Sequence, residues 1–162
     1  MQPLLATGFF LFTIINAYAQ IPAKSEIVSL RGQTVYYEVY GSGNPLFLLH
    51  GYAGSSKAWY PYVDEYAKYF KVYLVDLNGH GRSGPFTGKL SIRAAAEELL
   101  DLIKYLDLEQ IQGIGNSYGW DVLFQLALLD TQLVQSMIIA GACGTWDQLP
   151  TYGSSQTPGM TQ

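Results

Sequence analysis

The sequence contains few of the residues that hold metals or cofactors. Its 162 residues include two histidines, His50 and His80, and a single cysteine, Cys143. No His or Cys pair has metal-ligand spacing, and neither a P-loop nor a GxGxxG motif is present. We therefore expect no cofactor and no bound metal. Cys143 is expected to be either a buried free thiol or a thiol whose partner is encoded further on.

Charged residues are also scarce. They make up 14% of the chain, and the formal net charge is −4. This charge gives no electrostatic basis for binding nucleic acid, so we expect no nucleic-acid partner. Hydrophobic residues make up 49%. That fraction, in a chain of this length, is typical of one globular domain with a hydrophobic core rather than of a disordered protein.

The start of the chain has the pattern of an export signal. Residues 4–15 form an apolar run, and Ala17-Tyr18-Ala19 follows it. The run is too short for a confident transmembrane helix, and a small-x-small sequence after it is typical of a cleavage site. We predict that residues 1–19 are a signal peptide and that the mature protein is secreted or periplasmic. Because no Lys or Arg precedes the run, an uncleaved membrane anchor is the alternative.

The pattern between residues 24 and 140 alternates between strands and helices. Strands are predicted at 26–30, 34–40, 46–49, 72–75, 111–114 and 135–140, and helices at 56–69, 92–106 and 118–129. Pro61 either kinks the first of these helices or marks its true first turn. The alternation predicts an α/β fold with a mostly parallel sheet flanked by helices.

Residues 115–119, Gly-Asn-Ser-Tyr-Gly, match the G-x-S-x-G pattern of a nucleophile elbow. A serine hydroxyl needs exposure and a base before it can attack a carbonyl carbon. The predicted strand before Ser117 and the predicted helix after it fit a sharp turn that exposes the hydroxyl. We expect a strained backbone at Ser117, with Gly115 and Gly119 providing clearance.

Two glycine-rich loops follow earlier apolar strands. The loop after residues 46–49 can aim the backbone N–H of Tyr52 at a developing oxyanion, and the N–H of Tyr118 is the expected second donor. In the loop after residues 72–75, Asp76 and Arg82 are expected to hold the backbone by hydrogen bonds and charge pairing. The two histidines of the sequence, His50 and His80, are both expected to have structural roles rather than to act as catalytic bases.

Three segments together resemble those of the α/β-hydrolase superfamily. They are HGYAGSS at 50–56, DLNGHGRSG at 76–84 and GNSYGW at 115–120, and the resemblance covers roughly residues 26 to 145. It is to the cap-bearing branch of serine hydrolases, and it implies that Ser117 is the nucleophile. Epoxide hydrolases and haloalkane dehalogenases in that branch use Asp, so those chemistries are disfavoured. Asn116 and Trp120 depart from the family pattern, which often has His and Gly there.

The resemblance also implies an acid and then a histidine after the nucleophile. No histidine follows Ser117. Asp147, which follows the last predicted strand, is the candidate for the catalytic acid. We interpret residues 20–145 as a partial hydrolase core and residues 146–162 as the start of a cap or a disordered tail. The last predicted strand would then be an exposed hydrophobic edge.

These observations leave three functional hypotheses. The first is the amino-terminal portion of a secreted serine hydrolase that acts on an ester, amide or related carbonyl substrate. The second is a non-catalytic interaction protein that retains half of the fold, and the third is a split enzyme completed by another chain. The expected partners are a small-molecule substrate and the missing carboxyl-terminal part, with no membrane contact after signal cleavage. On its own, the chain is predicted to be nearly inert.

Overall fold

The computed structural model describes residues 21–86 and 91–141. The predicted signal peptide, Cys143, Asp147 and the 146–162 segment lie outside these residues. The described part contains six strands: β1 (Lys24–Leu30), β2 (Gln33–Gly41), β3 (Asn44–Leu49), β4 (Phe70–Asp76), β5 (Ile111–Gly115) and β6 (Val134–Ile139). They form one sheet in the order β1-β2-β4-β3-β5-β6. β1 and β2 pair antiparallel with their neighbours, and the other pairs are parallel. The predicted α/β class is confirmed.

Three α-helices connect the parallel strands: α1 (Tyr60–Ala67), α2 (Ile92–Tyr105) and α3 (Tyr118–Leu129). Ser91 caps α2, because its hydroxyl accepts a hydrogen bond from the Ala94 amide at 3.1 Å. The single helix predicted at 56–69 is instead a 3₁₀ turn, Ser56–Trp59, followed by α1. Pro61 lies in the first turn of α1, where its missing N–H costs nothing.

The helices cover the two faces of the sheet unequally. α2 and α3 pack on one face over the larger core, which includes Phe47, Tyr73 and Leu123. α1 packs on the other face over a smaller core built around Trp59 and Leu74. Side chains in a strand point alternately to the two faces, so each central strand contributes to both cores. The two cores together fix the carboxyl ends of β3, β4 and β5, which lie side by side at one end of these parallel strands.

β6 is the last strand of the sheet, and it is poorly covered. Ile138 and Ile139 are 61% and 44% exposed, and the strand sequence VQSMII has no charged residue. The opposite edge, β1, carries Lys24 and Glu26, whose side chains pair at 2.6 Å. Charges protect an edge strand from pairing with another chain, so β1 is protected and β6 is not. None of the helices in residues 21–86 and 91–141 has the length and hydropathy needed to cross a bilayer.

Candidate active site

Ser117 lies at the turn between β5 and α3. Its backbone has φ 49° and ψ −116°, in the positive-φ region that residues other than glycine avoid. Its amide donates to the Gly141 carbonyl at 2.7 Å, and the Asn116 amide donates to the Leu49 carbonyl at 3.0 Å. These bonds tie the turn to the ends of β3 and β6. The turn is therefore strained and held from both sides, as expected for an elbow.

The two glycines of the motif are needed because the backbone approaches them closely. A Cβ on Gly119 would lie 2.5 Å from the Leu49 carbonyl oxygen, and one on Gly115 would lie 2.5 Å from the Trp120 backbone nitrogen. Both obstacles are main-chain atoms of packed elements, which cannot rotate away. The glycines thus provide clearance from β3 and from the first turn of α3, which includes the backbone of Gly119 itself, 2.7 Å from a Cβ on Gly115.

The two expected oxyanion donors lie on neighbouring segments, one in a loop and one at the start of a helix. Tyr52 follows β3, and Tyr118 is the first residue of α3. Their rings contact edge to face, with centroids 6.0 Å apart. Within residues 21–86 and 91–141, neither amide donates a backbone hydrogen bond. Both amides can therefore donate to a ligand, and the amino-terminal end of a helix favours negative charge.

His50 is fully buried and both of its ring nitrogens are used. Nδ1 lies 2.8 Å from the Gly51 carbonyl oxygen and donates to it, and Nε2 accepts from the Leu77 amide at 3.0 Å. These partners fix a neutral imidazole, and burial lowers its pKa. His50 joins the ends of β3 and β4, and it has no free nitrogen to act as a base. The structural role expected for it is what the structure shows.

His80 packs inside an aromatic cluster beside the elbow. Its ring centroid lies 5.4 Å from that of Tyr52 and 5.7 Å from that of Tyr118. Nδ1 lies 3.0 Å from the Asn78 carbonyl oxygen and donates to it. The side chain is 8% exposed. His80 thus supports the two tyrosines that carry the candidate oxyanion amides.

Asp76 connects the two loops that surround the elbow. Its carboxylate is completely buried. Oδ1 accepts from the Ser56 amide at 2.6 Å, and Oδ2 accepts from the Arg82 amide at 2.8 Å. One carboxylate therefore fixes both the loop that carries Tyr52 and the loop that carries His80. The loop-holding role expected from the sequence is observed.

A buried carboxylate on β2, Glu38, was not predicted from the sequence. It is 2% exposed and accepts hydrogen bonds from Tyr36, Tyr40 and Tyr60 at 2.7, 2.6 and 2.8 Å, and from Arg82 at 2.6 Å. Burial alone would raise the pKa of Glu38, but these donors outweigh it and hold the pKa below its ordinary value. The sequence does contain one indication of this cluster. Tyr36, Glu38 and Tyr40 alternate along β2, which places their side chains on the same face of the sheet.

The candidate acid, Asp147, lies outside the described residues. Two other acidic residues on or after α3 do not complete a triad. Asp121 lies in the first turn of α3, and burial raises its pKa. Asp130 accepts from the Gln132 amide at 3.1 Å and ends the helix. Among residues 21–86 and 91–141, no group of three His, Cys, Asp or Glu side chains is arranged to hold a metal ion.

Known proteins are similar to this chain in sequence and in fold. A family model described as the alpha/beta hydrolase fold matches residues 44–162. An uncharacterized protein of Mycobacterium tuberculosis is 32% identical over 123 residues, which are 76% of this chain and 36% of that protein. A soluble epoxide hydrolase of a Corynebacterium species is 33% identical over 111 residues, 68% of this chain and 38% of that enzyme.

A solved structure of a marine microorganism esterase is similar to this chain in both fold and sequence. It superposes with a TM-score of 0.62 at 35% identity, over 65% of this chain and 40% of the esterase. The chain therefore spans well under half the length of the relatives it matches.

Proposed function

This chain belongs to the alpha/beta hydrolase family, and from that premise we propose that it is the amino-terminal portion of a secreted serine hydrolase. Ser117 is the nucleophile, and the substrate is a small ester, amide or related carbonyl compound. The observation that carries the proposal is the strained backbone of Ser117 at the strand-to-helix turn. Such strain costs about 1–3 kcal/mol, and a protein that only served as a scaffold would gain nothing from it.

The proposed reaction is acyl transfer. The Ser117 hydroxyl attacks the carbonyl carbon, and the carbonyl oxygen becomes negatively charged. The amides of Tyr52 and Tyr118 stabilise that oxyanion. Its collapse breaks the bond to the alcohol or amine, which leaves with the proton that the base took from Ser117, and water then hydrolyses the acyl-enzyme. A serine at this position favours carbonyl substrates over epoxides, since the epoxide hydrolases of this branch use Asp as the nucleophile.

The proposed general base is a histidine outside residues 1–162. His50 cannot accept a proton from Ser117, because both of its nitrogens are hydrogen-bonded elsewhere. His80 lies among aromatic rings, and the Asn78 carbonyl engages one of its two ring nitrogens, Nδ1. Asp147 is the candidate acid within this sequence. The limited share of each relative that the chain covers supports a partner histidine in the remaining part.

Ester turnover tests this proposal. The purified chain is incubated with p-nitrophenyl acetate beside its Ser117→Ala variant, and circular dichroism establishes that both are folded. Loss of the base costs on the order of 10⁶ in kcat in a well-studied serine protease, so neither protein should approach an enzyme-like rate of nitrophenol release. Enzyme-like turnover that Ser117→Ala abolishes would show that the base lies within this chain.

We also propose that the protein is exported. The support is the apolar run at 4–15 and the Ala17-Tyr18-Ala19 sequence. Amino-terminal sequencing of the protein from the medium or the periplasm should begin at Gln20. A protein that retains Met1 in the membrane fraction would instead support the anchor.

A second candidate is a split enzyme that another chain completes. The observation that favours it is the uncovered, uncharged β6 edge, with Ile138 61% exposed. Sequencing the DNA downstream separates the two candidates. A continuation with a further strand, an acid and a late histidine supports a single longer hydrolase, and its absence supports a second chain.

A further inference from the structure

The loop that carries Tyr52 is anchored at both ends. At its start, the imidazole of His50 donates to the carbonyl of the next residue at 2.8 Å. At its end, the buried Ser56 makes two bonds. Its amide donates to Asp76 at 2.6 Å, and its hydroxyl oxygen accepts from Nη2 of Arg82 at 3.2 Å. Because Tyr52 lies between these anchors, the position of its amide depends on where Ser56 is held.

The backbone of Arg82 is fixed separately from its side chain. The two residues after it bond to β2: Ser83 Oγ accepts from the Tyr36 amide at 2.8 Å, and the Gly84 amide donates to the Thr34 carbonyl at 2.8 Å. The guanidinium carbon lies 3.6 Å from the centre of the Tyr36 ring, and Arg82 also lines a cavity of about 250 Å³. A stacked ring supports a guanidinium on one side and lets it slide in its own plane. Hydrogen bonds therefore decide where the guanidinium stops.

Glu38 makes the shortest of those hydrogen bonds. Nη2 of Arg82 donates to Glu38 Oε1 at 2.6 Å, and it lies 3.2 Å from both the Ser56 and the Tyr60 hydroxyl oxygens. Nη2 has two hydrogens, so the charge-assisted bond to the carboxylate dominates and the two hydroxyls share the remainder. Glu38 is itself fixed by the tyrosine hydroxyls that donate to it. The carboxylate thus holds Nη2 at the point where it meets Ser56.

Stability alone is a weak reason for a buried ion pair of this kind. Replacing such a pair with apolar residues of similar volume is often neutral or stabilising, because taking the charges out of water is costly. A buried and fully bonded polar network can instead fix one conformation of the groups attached to it. The groups attached here are β2, through Glu38, and the loop that carries Tyr52, through Ser56.

We propose that Glu38 is a positioning residue for the oxyanion amide of Tyr52, and that it acts through Arg82 and Ser56. The inference rests on the proposed function, because that function gives the Tyr52 amide its role. A displacement of about 1 Å can lower the rate of an enzyme on the order of 10²-fold. A contact that keeps this amide in place therefore matters for catalysis.

Backbone NMR of the full chain tests the inference without a catalytic step. The order parameter and the chemical shift of the ¹⁵N-labelled Tyr52 amide are measured in the wild type and in two variants. Glu38→Gln removes the charge and keeps the shape of the side chain. Ser56→Ala removes the hydroxyl that meets Arg82, and it retains both the Glu38–Arg82 pair and the bond from the amide of residue 56 to Asp76.

Glu26→Gln is the matched control. Glu26 also accepts a hydrogen bond from a tyrosine hydroxyl, that of Tyr37, and it pairs with a cation, Lys24, at 2.6 Å. These three residues lie on β1 and β2, so their variant should leave the Tyr52 amide unchanged. The Trp120 amide is bonded within the elbow at 2.9 Å, and it reports any general loosening of the fold.

We expect the Tyr52 order parameter to be about 0.85, the value of a rigid backbone, in the wild type and in Glu26→Gln. It should fall toward about 0.6 in Glu38→Gln and in Ser56→Ala. The Tyr52 signal should also shift in both variants, with no change at Trp120. The double variant should resemble Ser56→Ala alone, because both substitutions interrupt the same series of contacts.

Three outcomes would overturn the inference. They are a Tyr52 amide that is already mobile in the wild type, an amide that is unchanged in Ser56→Ala, and equal effects of Glu38→Gln and Glu26→Gln. Ser56→Ala keeps the test decisive if Glu38→Gln does not fold, since the buried carboxylate stays in that variant. No turnover is measured, so failure here is distinguishable from failure of Ser117 as the nucleophile, which covalent labelling with a fluorophosphonate detects.

Discussion

Exchange of Asp76 for asparagine tests whether one buried carboxylate holds the two loops beside Ser117. The amide keeps one oxygen acceptor and replaces the other with an NH₂ donor. Whichever way the amide is turned, either the Ser56 amide or the Arg82 amide then faces another donor. The packing is unchanged, since the two side chains have nearly the same shape.

The expected destabilisation follows from the contacts. The two bonds are 2.6 and 2.8 Å long, and both end on a carboxylate with no exposed surface. A hydrogen bond to a charged group contributes about 1.5–3 kcal/mol, and a buried donor without a partner costs about 1–3 kcal/mol. Because these two figures describe the same lost bond, they are not added. We expect Asp76→Asn to lower the free energy of unfolding by about 2–3 kcal/mol.

Equilibrium urea unfolding followed by circular dichroism measures this difference. Asp107→Asn is the matched control. Asp107 is exposed and has φ 55°, a conformation that Asn adopts as readily as Asp, so its effect should lie within about 0.5 kcal/mol. Amide hydrogen exchange should also speed up at Ser56 and Arg82 in the Asp76 variant. A loss below about 1 kcal/mol, with unchanged exchange at both amides, would refute the role assigned to Asp76.

Three further predictions concern the elbow, Glu38 and His80. Gly119→Ala should lower the free energy of unfolding, measured in urea, by about 1–3 kcal/mol or more, because the added Cβ overpacks the elbow. Gly51→Ala is the control and should be tolerated, since its added Cβ would come no closer than 3.4 Å to another atom. Glu38 has a lowered folded pKa, so its stabilising contribution is present above its unfolded pKa and is lost as pH falls through the folded value. The stability difference between wild type and Glu38→Gln should therefore shrink in acid, and a difference that is constant with pH would contradict the network. His80→Phe should leave the ester turnover of a complete hydrolase within about tenfold of wild type, and a loss as large as that of Ser117→Ala would make His80 the base.

Local patterns were sufficient to predict most of the fold. Each strand was marked by a short β-branched or apolar run, as at residues 72–75, and the structure confirms all six. The elbow was predicted because its glycines and serine have fixed spacing. The positive φ at Ser117 and the close approach of β3 to Gly119 agree with that prediction.

Contacts between distant parts of the chain could not be predicted. Glu38 and Arg82 are 44 residues apart, and nothing in either local sequence identifies the other as its partner. The same limit applies to His50, whose partner amide belongs to Leu77 at the end of another strand. The Trp59 turn likewise comes close to Asn116 and Ala140. This proximity depends on the order of strands in the sheet, which periodicity alone does not determine.

The exposed β6 edge has a practical consequence for these experiments. An uncharged edge strand with exposed Ile138 and Ile139 favours association between copies of the chain. Measurements on this polypeptide should therefore be made at several protein concentrations. A mutation-induced change in stability that is the same at every protein concentration reflects the fold of the single chain.

Covalent labelling of Ser117 tests the central claim most directly. The complete hydrolase that the proposed function implies, this chain joined to a continuation encoded downstream, is treated with a fluorophosphonate, digested and analysed by tandem mass spectrometry. We predict one phosphonylated residue, Ser117, at a rate far above that of the chain alone, and no labelling of the Ser117→Ala variant. Labelling at another serine, or equal labelling of the Ser117→Ala variant, would contradict the claim that Ser117 is the nucleophile of this hydrolase.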